Sequence, residues 1–126
     1  MSGNCAVLDS NIIILASKQE LNVDDLIEKY DRFYVSIITY MEVSGFKNIS
    51  EKEKVIIERF FKNVEIIDVG REIAKTVIDY KINQSKKIKL PDAIILATAK
   101  FVNGNLITRN INDFIDIDNS VKIETA

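Results

Sequence analysis

Histidine is missing from all 126 residues. Its absence excludes Ser-His-Asp and Cys-His sites, ribonuclease chemistry driven by histidine pairs, and zinc held through imidazole. Any catalysis must come from carboxylates, lysines or a metal held by oxygen ligands. Cysteine occurs once, at Cys5, so no internal disulfide can form. Cys5 opens an apolar run and reads as a small core residue, with a reactive thiol as the alternative. No apolar run reaches the roughly 20 residues that a membrane span needs. Met1-Ser2-Gly3-Asn4 lacks the basic region of a signal peptide, and the expectation is a cytoplasmic protein without membrane contact. A net charge of −2 gives no global basic field to attract nucleic acid, although a local patch would suffice.

What is present describes a folded chain. Hydrophobic residues make up 47% and charged residues 29%, enough for one buried core at this length. Cys5-Ala6-Val7-Leu8 is a continuous apolar run suited to a central parallel strand, ended by Asp9-Ser10-Asn11. Ile12 to Ala16 starts a helix, and Asp24 to Tyr30 forms a second, capped by Asn22 or Asp24. Phe33-Tyr34-Val35 is β-prone, and Ser36 to Phe46 reads as a helix. Ser50-Glu51-Lys52-Glu53 has the capping-box form and opens a helix to about Lys62. Val64 to Ile67 is a third strand, and Arg71 to about Gln84 a long helix with Ile73, Val77, Tyr80 and Lys81 at helical intervals. Ser85 to Leu90 is a basic connection.

The stretch from Leu90 to Phe114 organises the rest. Pro91 suits a first helical turn, and Ile95, Ala99 and Val102 recur on one face behind it. Asn103-Gly104-Asn105 stops that helix, Leu106-Ile107 forms a short strand, and Asn110-Ile111-Asn112-Asp113 has the cap-plus-acid form of another helix start. Val121-Lys122-Ile123 is a last, edge strand. Alternating strands and helices predict a three-layer α/β/α sandwich with a mostly parallel sheet of four to five strands. In such a sheet the ligand site lies at the carboxyl ends of the strands. Asp9 and Asp113, following the first and fourth strands, therefore share a crevice if those strands are neighbours. Asp92 and Glu42 join them if their helices begin at that edge.

Each acid also has a plain structural reading. Asp9 or Ser10 could cap the first helix, Thr39-Tyr40-Met41-Glu42 fits a capping box, and Asp92 sits where the helix dipole favours an anion by roughly 0.3–1 kcal/mol. For phosphate contacts, Lys81, Lys86, Lys87 and Lys89 form a basic stretch running into Asp92, readable equally as a solvated loop. Arg109, beside Thr108, is a closer candidate.

Taken together, four blocks resemble the PIN-domain nucleases, and within them the VapC-type toxins of toxin–antitoxin pairs. They are Val7-Leu8-Asp9-Ser10-Asn11, Glu42 after Ile38-Thr39, Leu90-Pro91-Asp92-Ala93-Ile94-Ile95-Leu96-Ala97-Thr98-Ala99, and Leu106-Ile107-Thr108-Arg109-Asn110 leading to Asp113-Phe114. The last two are the most specific. The resemblance covers nearly the whole chain and implies one PIN-like domain over residues 1–126. It implies a metal-dependent endoribonuclease whose acidic site matches Asp9, Glu42, Asp92 and Asp113, supported by Asn11 and Thr108. It further implies Mg²⁺ or Mn²⁺ as cofactor, RNA as substrate, a small antitoxin partner and a homodimer. Hard cations take oxygen ligands, so carboxylates suffice without histidine. Three alternatives stand beside it. One is a catalytically silent PIN-like module that binds RNA or a partner. Another is a receiver-type phosphoacceptor domain, which Asp9, Asp68 and Thr108 fit superficially but which leaves Asp92 and Asp113 without a role. A phosphatase with a second catalytic Asp would need that residue where the chain has Asn11.

Overall fold

The apolar run Cys5–Leu8 (β1) lies at the centre of a fully parallel five-stranded sheet. β2 (Arg32–Ser36) pairs with it on one side and β4 (Asn105–Ile107) on the other. β3 (Glu65–Ile67) lies beyond β2, and β5 (Ile123–Glu124) beyond β4, giving the order β3-β2-β1-β4-β5. The computed structural model describes residues 4–83 and 86–126. The described residues also form six α-helices: α1 (Ser10–Ser17), α2 (Asp24–Lys29), α3 (Ile37–Ser44), α4 (Glu51–Asn63), α5 (Arg71–Asn83) and α6 (Leu90–Val102).

The sheet needs apolar residues on both faces because helices cover both. Ala6, Leu8 and Ile107 enter one core with Ile12 and Ile13 of α1, Val43 of α3, and Ile57 and Phe61 of α4. Val7 and Leu106 enter the other with Ile73, Val77 and Tyr80 of α5 and the buried face of α6. Successive strand residues thus feed opposite cores, as the two-residue period of a strand requires. The result is the three-layer α/β/α sandwich.

Local signals explain most helix ends. Ser50 and Glu53 form the reciprocal capping box that starts α4. Pro91 lies in the first turn of α6, and Asn103 ends it in the left-handed region at φ 56°. Gly104 follows with no room for a side chain: a Cβ there would stand 3.0 Å from both the carbonyl oxygen and the Sγ of Cys5. Cys5 is accordingly a partly buried packing residue.

Four local expectations are corrected. Thr39 does not cap a helix, because Ser36 at the end of β2 already caps α3, its hydroxyl accepting the Ile38 N–H at 3.2 Å. Residues 110–113 do not begin an α-helix; Ile111–Asp113 is a single 3-10 turn, and Asn110 makes no side-chain cap. Phe114 and Ile117 turn inward there and are buried, which tucks the chain against the core instead of extending a helix. α2 has Val23 at its cap position, while Asn22 accepts the Asp24 N–H at 2.9 Å. The last strand begins at Ile123, because Val121 is buried in the core before pairing begins. Gln84 and Ser85 lie outside the described residues.

The sheet order places the site. The chain lays down β1, β2 and β3 in one direction, then crosses back to add β4 and β5 on the other side of β1. The reversal falls between β1 and β4, where connections diverge and leave a crevice at the strands' carboxyl ends. A receiver domain has the different order 2-1-3-4-5 and is excluded.

Candidate active site

Asp9 and Thr108 are the residues that follow β1 and β4, so they meet across the reversal point. The Asp9 N–H donates to the Ile107 carbonyl at 3.0 Å, extending the ladder by one bond. Its carboxylate is held at both oxygens: Oδ1 accepts the Ser10 N–H at 2.8 Å, and Oδ2 accepts the Thr108 hydroxyl at 2.7 Å. Asp9 is therefore also the N-cap of α1. Thr108 is fully buried, and its Oγ1 accepts the Asn110 N–H at 2.9 Å while its own N–H donates to the Glu124 carbonyl at 3.0 Å. A buried carboxylate held this way keeps one orientation. Burial pushes the Asp9 carboxyl above its ordinary value; the two hydrogen bonds pull the other way, and the charges of Glu42 and Asp113 add to the rise.

Glu42 reaches this region from α3. The Ser10 hydroxyl donates to its Oε1 at 2.6 Å, tying α3 to the start of α1. Asp92 is the third residue of α6. Its carboxyl is pushed up to about 6, first by burial and then by the charges of Asp9, Asp113 and Glu42, with Lys89 opposing. An anion at a helix N-terminus would ordinarily be favoured; here burial and the neighbouring acids outweigh the dipole. Asp113 ends the 3-10 turn, exposed, with its N–H donating to the Asn110 carbonyl at 3.0 Å. The charges of Glu42 and Asp113, from distant parts of the chain, thus bear on both Asp9 and Asp92.

Among the described residues, no three acid or thiol side chains are already gathered into a cluster that would hold a metal ion. The donor set still suits Mg²⁺ or Mn²⁺, which keep several waters and need only one or two direct carboxylates. Two further polar atoms support the fit: the Asn11 Oδ1 and the Thr39 Oγ1 are buried without a hydrogen-bond partner.

The basic residues divide. The Lys86 ammonium donates to the carbonyls of Asn112 and, at 3.0 Å, Ile115, bracing the loop that carries Asp113. Lys81 donates to the Ile88 carbonyl at 2.8 Å, and Arg109 to the Ala126 carbonyl at 2.6 Å. Lys87 and Lys89 are exposed. The bracing role of Lys86 and the Ser10–Glu42 bond are absent from the sequence reading. Ser10 carries a signal nonetheless, since the residue after a capping acid begins the helix on the crevice side.

The chain belongs to the PIN-domain family, whose model matches residues 6–119. PIN domains are nucleases and generally use divalent metal ions. Among solved structures, the chain is similar to a toxin–antitoxin complex from Klebsiella pneumoniae, at 32% identity and TM-score 0.71, covering 92% of this chain and 94% of that one. It is also similar to VapBC-1 from nontypeable Haemophilus influenzae, at 25% identity and TM-score 0.76, covering 96% and 97%. DNA-bound VapBC from Salmonella typhimurium shares the fold, at 20% identity and TM-score 0.80, covering 97% and 98%. No curated protein sequence matches the chain.

Proposed function

We propose that this chain is a Mg²⁺- or Mn²⁺-dependent endoribonuclease, the toxin of a toxin–antitoxin pair. The observation that carries the reading is the Ser10 junction at the β1–β4 reversal, where the Ser10 N–H holds Asp9 and its hydroxyl holds Glu42; Asp92 opens α6, and its carboxyl is pushed up to about 6 by burial first and by Asp9, Asp113 and Glu42 second. These four acids would hold the cation directly or through its waters, and the cation would supply an acidified water and offset charge on the phosphate. Thr108 and the Ser10 N–H fix Asp9, the Ser10 hydroxyl fixes Glu42, and Lys86 steadies the turn bearing Asp113. With no histidine in the chain, a histidine-driven route through a 2′,3′-cyclic phosphate has no base and no acid. The products are a 5′-phosphate and a 3′-hydroxyl.

Cleavage of a labelled single-stranded RNA with Mg²⁺ or Mn²⁺, and with EDTA, followed by end-group analysis, tests this. EDTA-resistant cleavage or cyclic-phosphate ends defeat the mechanism. Metal-independent RNA binding without cleavage favours the silent module.

The proposal extends to an antitoxin and to a second copy of the chain as partners. Two features support the antitoxin. The Klebsiella and Haemophilus structures are themselves toxin–antitoxin complexes. An apolar groove of about 330 Å³ between α1, α2 and α4, lined by Ile12, Ala16, Leu26, Ile27, Ile56 and Phe60 among others, suits the apolar face of a helix. Co-expression with the product of an adjacent small gene should give a stable complex with suppressed cleavage; full activity in that complex would refute the pairing.

A further inference from the structure

Phosphate binding beside an acid cluster needs a cation that is not already used. Around the crevice, most candidates are spent on the fold. Lys86 is held by two carbonyls of the Asp113 loop, Lys81 by the Ile88 carbonyl, and Arg109 by the Ala126 carbonyl. Lys89 is placed differently. It occupies the cap position of α6, where its side chain makes no capping bond, and it is exposed. Asp92 stands three residues on, at the position from which a side chain reaches back toward the cap residue. Lys89 is the cation whose charge acts on Asp92, alongside the three acids.

We propose that Lys89 is the substrate-phosphate contact of this site, a single-stranded RNA backbone cation set one helical turn from the acids. The inference rests on the nuclease reading above and deepens it. A fixed positive charge there has two opposed effects. It attracts the phosphate that must approach four carboxylates, and it repels the divalent cation those carboxylates would hold. Removing it should therefore weaken RNA and strengthen metal, whereas a purely structural lysine would move both together or neither.

Three variants separate these cases: Lys89→Met, Lys89→Arg, and Lys87→Met as the neighbouring exposed lysine. Cleavage of a labelled RNA oligonucleotide is measured over a range of NaCl concentrations. RNA binding is measured separately by fluorescence anisotropy in EDTA, and Mn²⁺ binding by calorimetry without RNA. Lys89→Met should raise KM about three- to tenfold with kcat within about twofold, and flatten the dependence of log(kcat/KM) on log[NaCl] by about 0.7. Its affinity for Mn²⁺ should rise by about two- to fivefold through the lost repulsion. Lys89→Arg should keep RNA binding, and Lys87→Met should leave both readouts near wild type. Unchanged KM and salt slope in Lys89→Met, or an equal loss in Lys87→Met, overturns the assignment. Wild-type protein that neither binds Mn²⁺ nor cleaves would instead defeat the nuclease reading. The anisotropy comparison of Lys89→Met with wild type would still decide the role of Lys89.

Discussion

Replacing Asp92 with Asn should make the metal-free protein more stable at neutral pH, not less. The carboxyl of Asp92 rises from 3.8 to about 6 because burial and three other acids oppose its charge. A carboxyl raised on folding contributes stability that is fully present below its unfolded value and is lost as pH rises through its folded value. Between about pH 4 and pH 6 the folded protein thus holds a proton that the unfolded chain has released, and stability declines across that window. Unscreened, the shift corresponds to about 3 kcal/mol. Asp92 is only partly buried, so solvent screening cuts this to about 1–2 kcal/mol. Asp9 is raised as well and adds a decline of the same sign. The lowered carboxyls of Glu53 and Asp118 act oppositely, but they lose their contribution as pH falls through their depressed values, below this window.

The assay is thermal unfolding in EDTA at pH 5 and pH 7.5. In a chain of this size 1–2 kcal/mol moves Tm by roughly 3–8 °C. Asp92→Asn should raise Tm by that amount at pH 7.5 and by about half as much at pH 5, the middle of the window, and so flatten the pH dependence of the parent. Mn²⁺ reverses the ranking: at 100 times its Kd it stabilises the parent by about 2.7 kcal/mol, and the variant should lose most of that gain along with most cleavage. A destabilised Asp92→Asn at pH 7.5 without metal, or a parent whose Tm does not change between pH 5 and 7.5, would refute the reasoning.

Thr108→Val keeps the shape but removes the hydroxyl that donates to Asp9 and accepts from Asn110; it should cost about 1–3 kcal/mol in urea unfolding and lower kcat/KM with it. Asp116→Asn is the matched control: Asp116 has φ 67°, a conformation Asn also tolerates, so Tm and cleavage rate should both stay near the parent.

The fold was legible where local chemistry and burial agree. β1 reads as central because its apolar run must be covered on both faces, and α4 begins where Ser50 and Glu53 cap each other. It was less legible where a contact distant in sequence decides. Asn110 to Asp113 carries a respectable helix-start pattern, yet the drive to bury Phe114 and Ile117 limits it to one 3-10 turn. Thr39 fits a capping box with Glu42, yet Ser36 caps first because β2 runs straight into α3. In the first case burial overrides a genuine local pattern; in the second the end of β2 at Ser36 fixes the helix start before Thr39 is reached.

The candidate site divides along the same line. Residue types and topology together nominate the acids: Asp9 directly follows β1, Asp113 lies in the loop after β4, and Glu42 and Asp92 are carried by α3 and α6. What holds them could not be nominated that way. The Thr108–Asp9 bond joins residues 99 apart, the Ser10–Glu42 bond residues 32 apart, and the Lys86 brace spans 26 and 29 residues. Lys86 shows the consequence most plainly. In sequence it belongs to a run of lysines suited to RNA; in the fold its ammonium is committed to two carbonyls, and its substitution would act on the Asp113 loop. A basic run is thus a pool of charge whose members are assigned by their partners. The same accounting leaves Lys89, at the cap of α6, with its charge directed at Asp92.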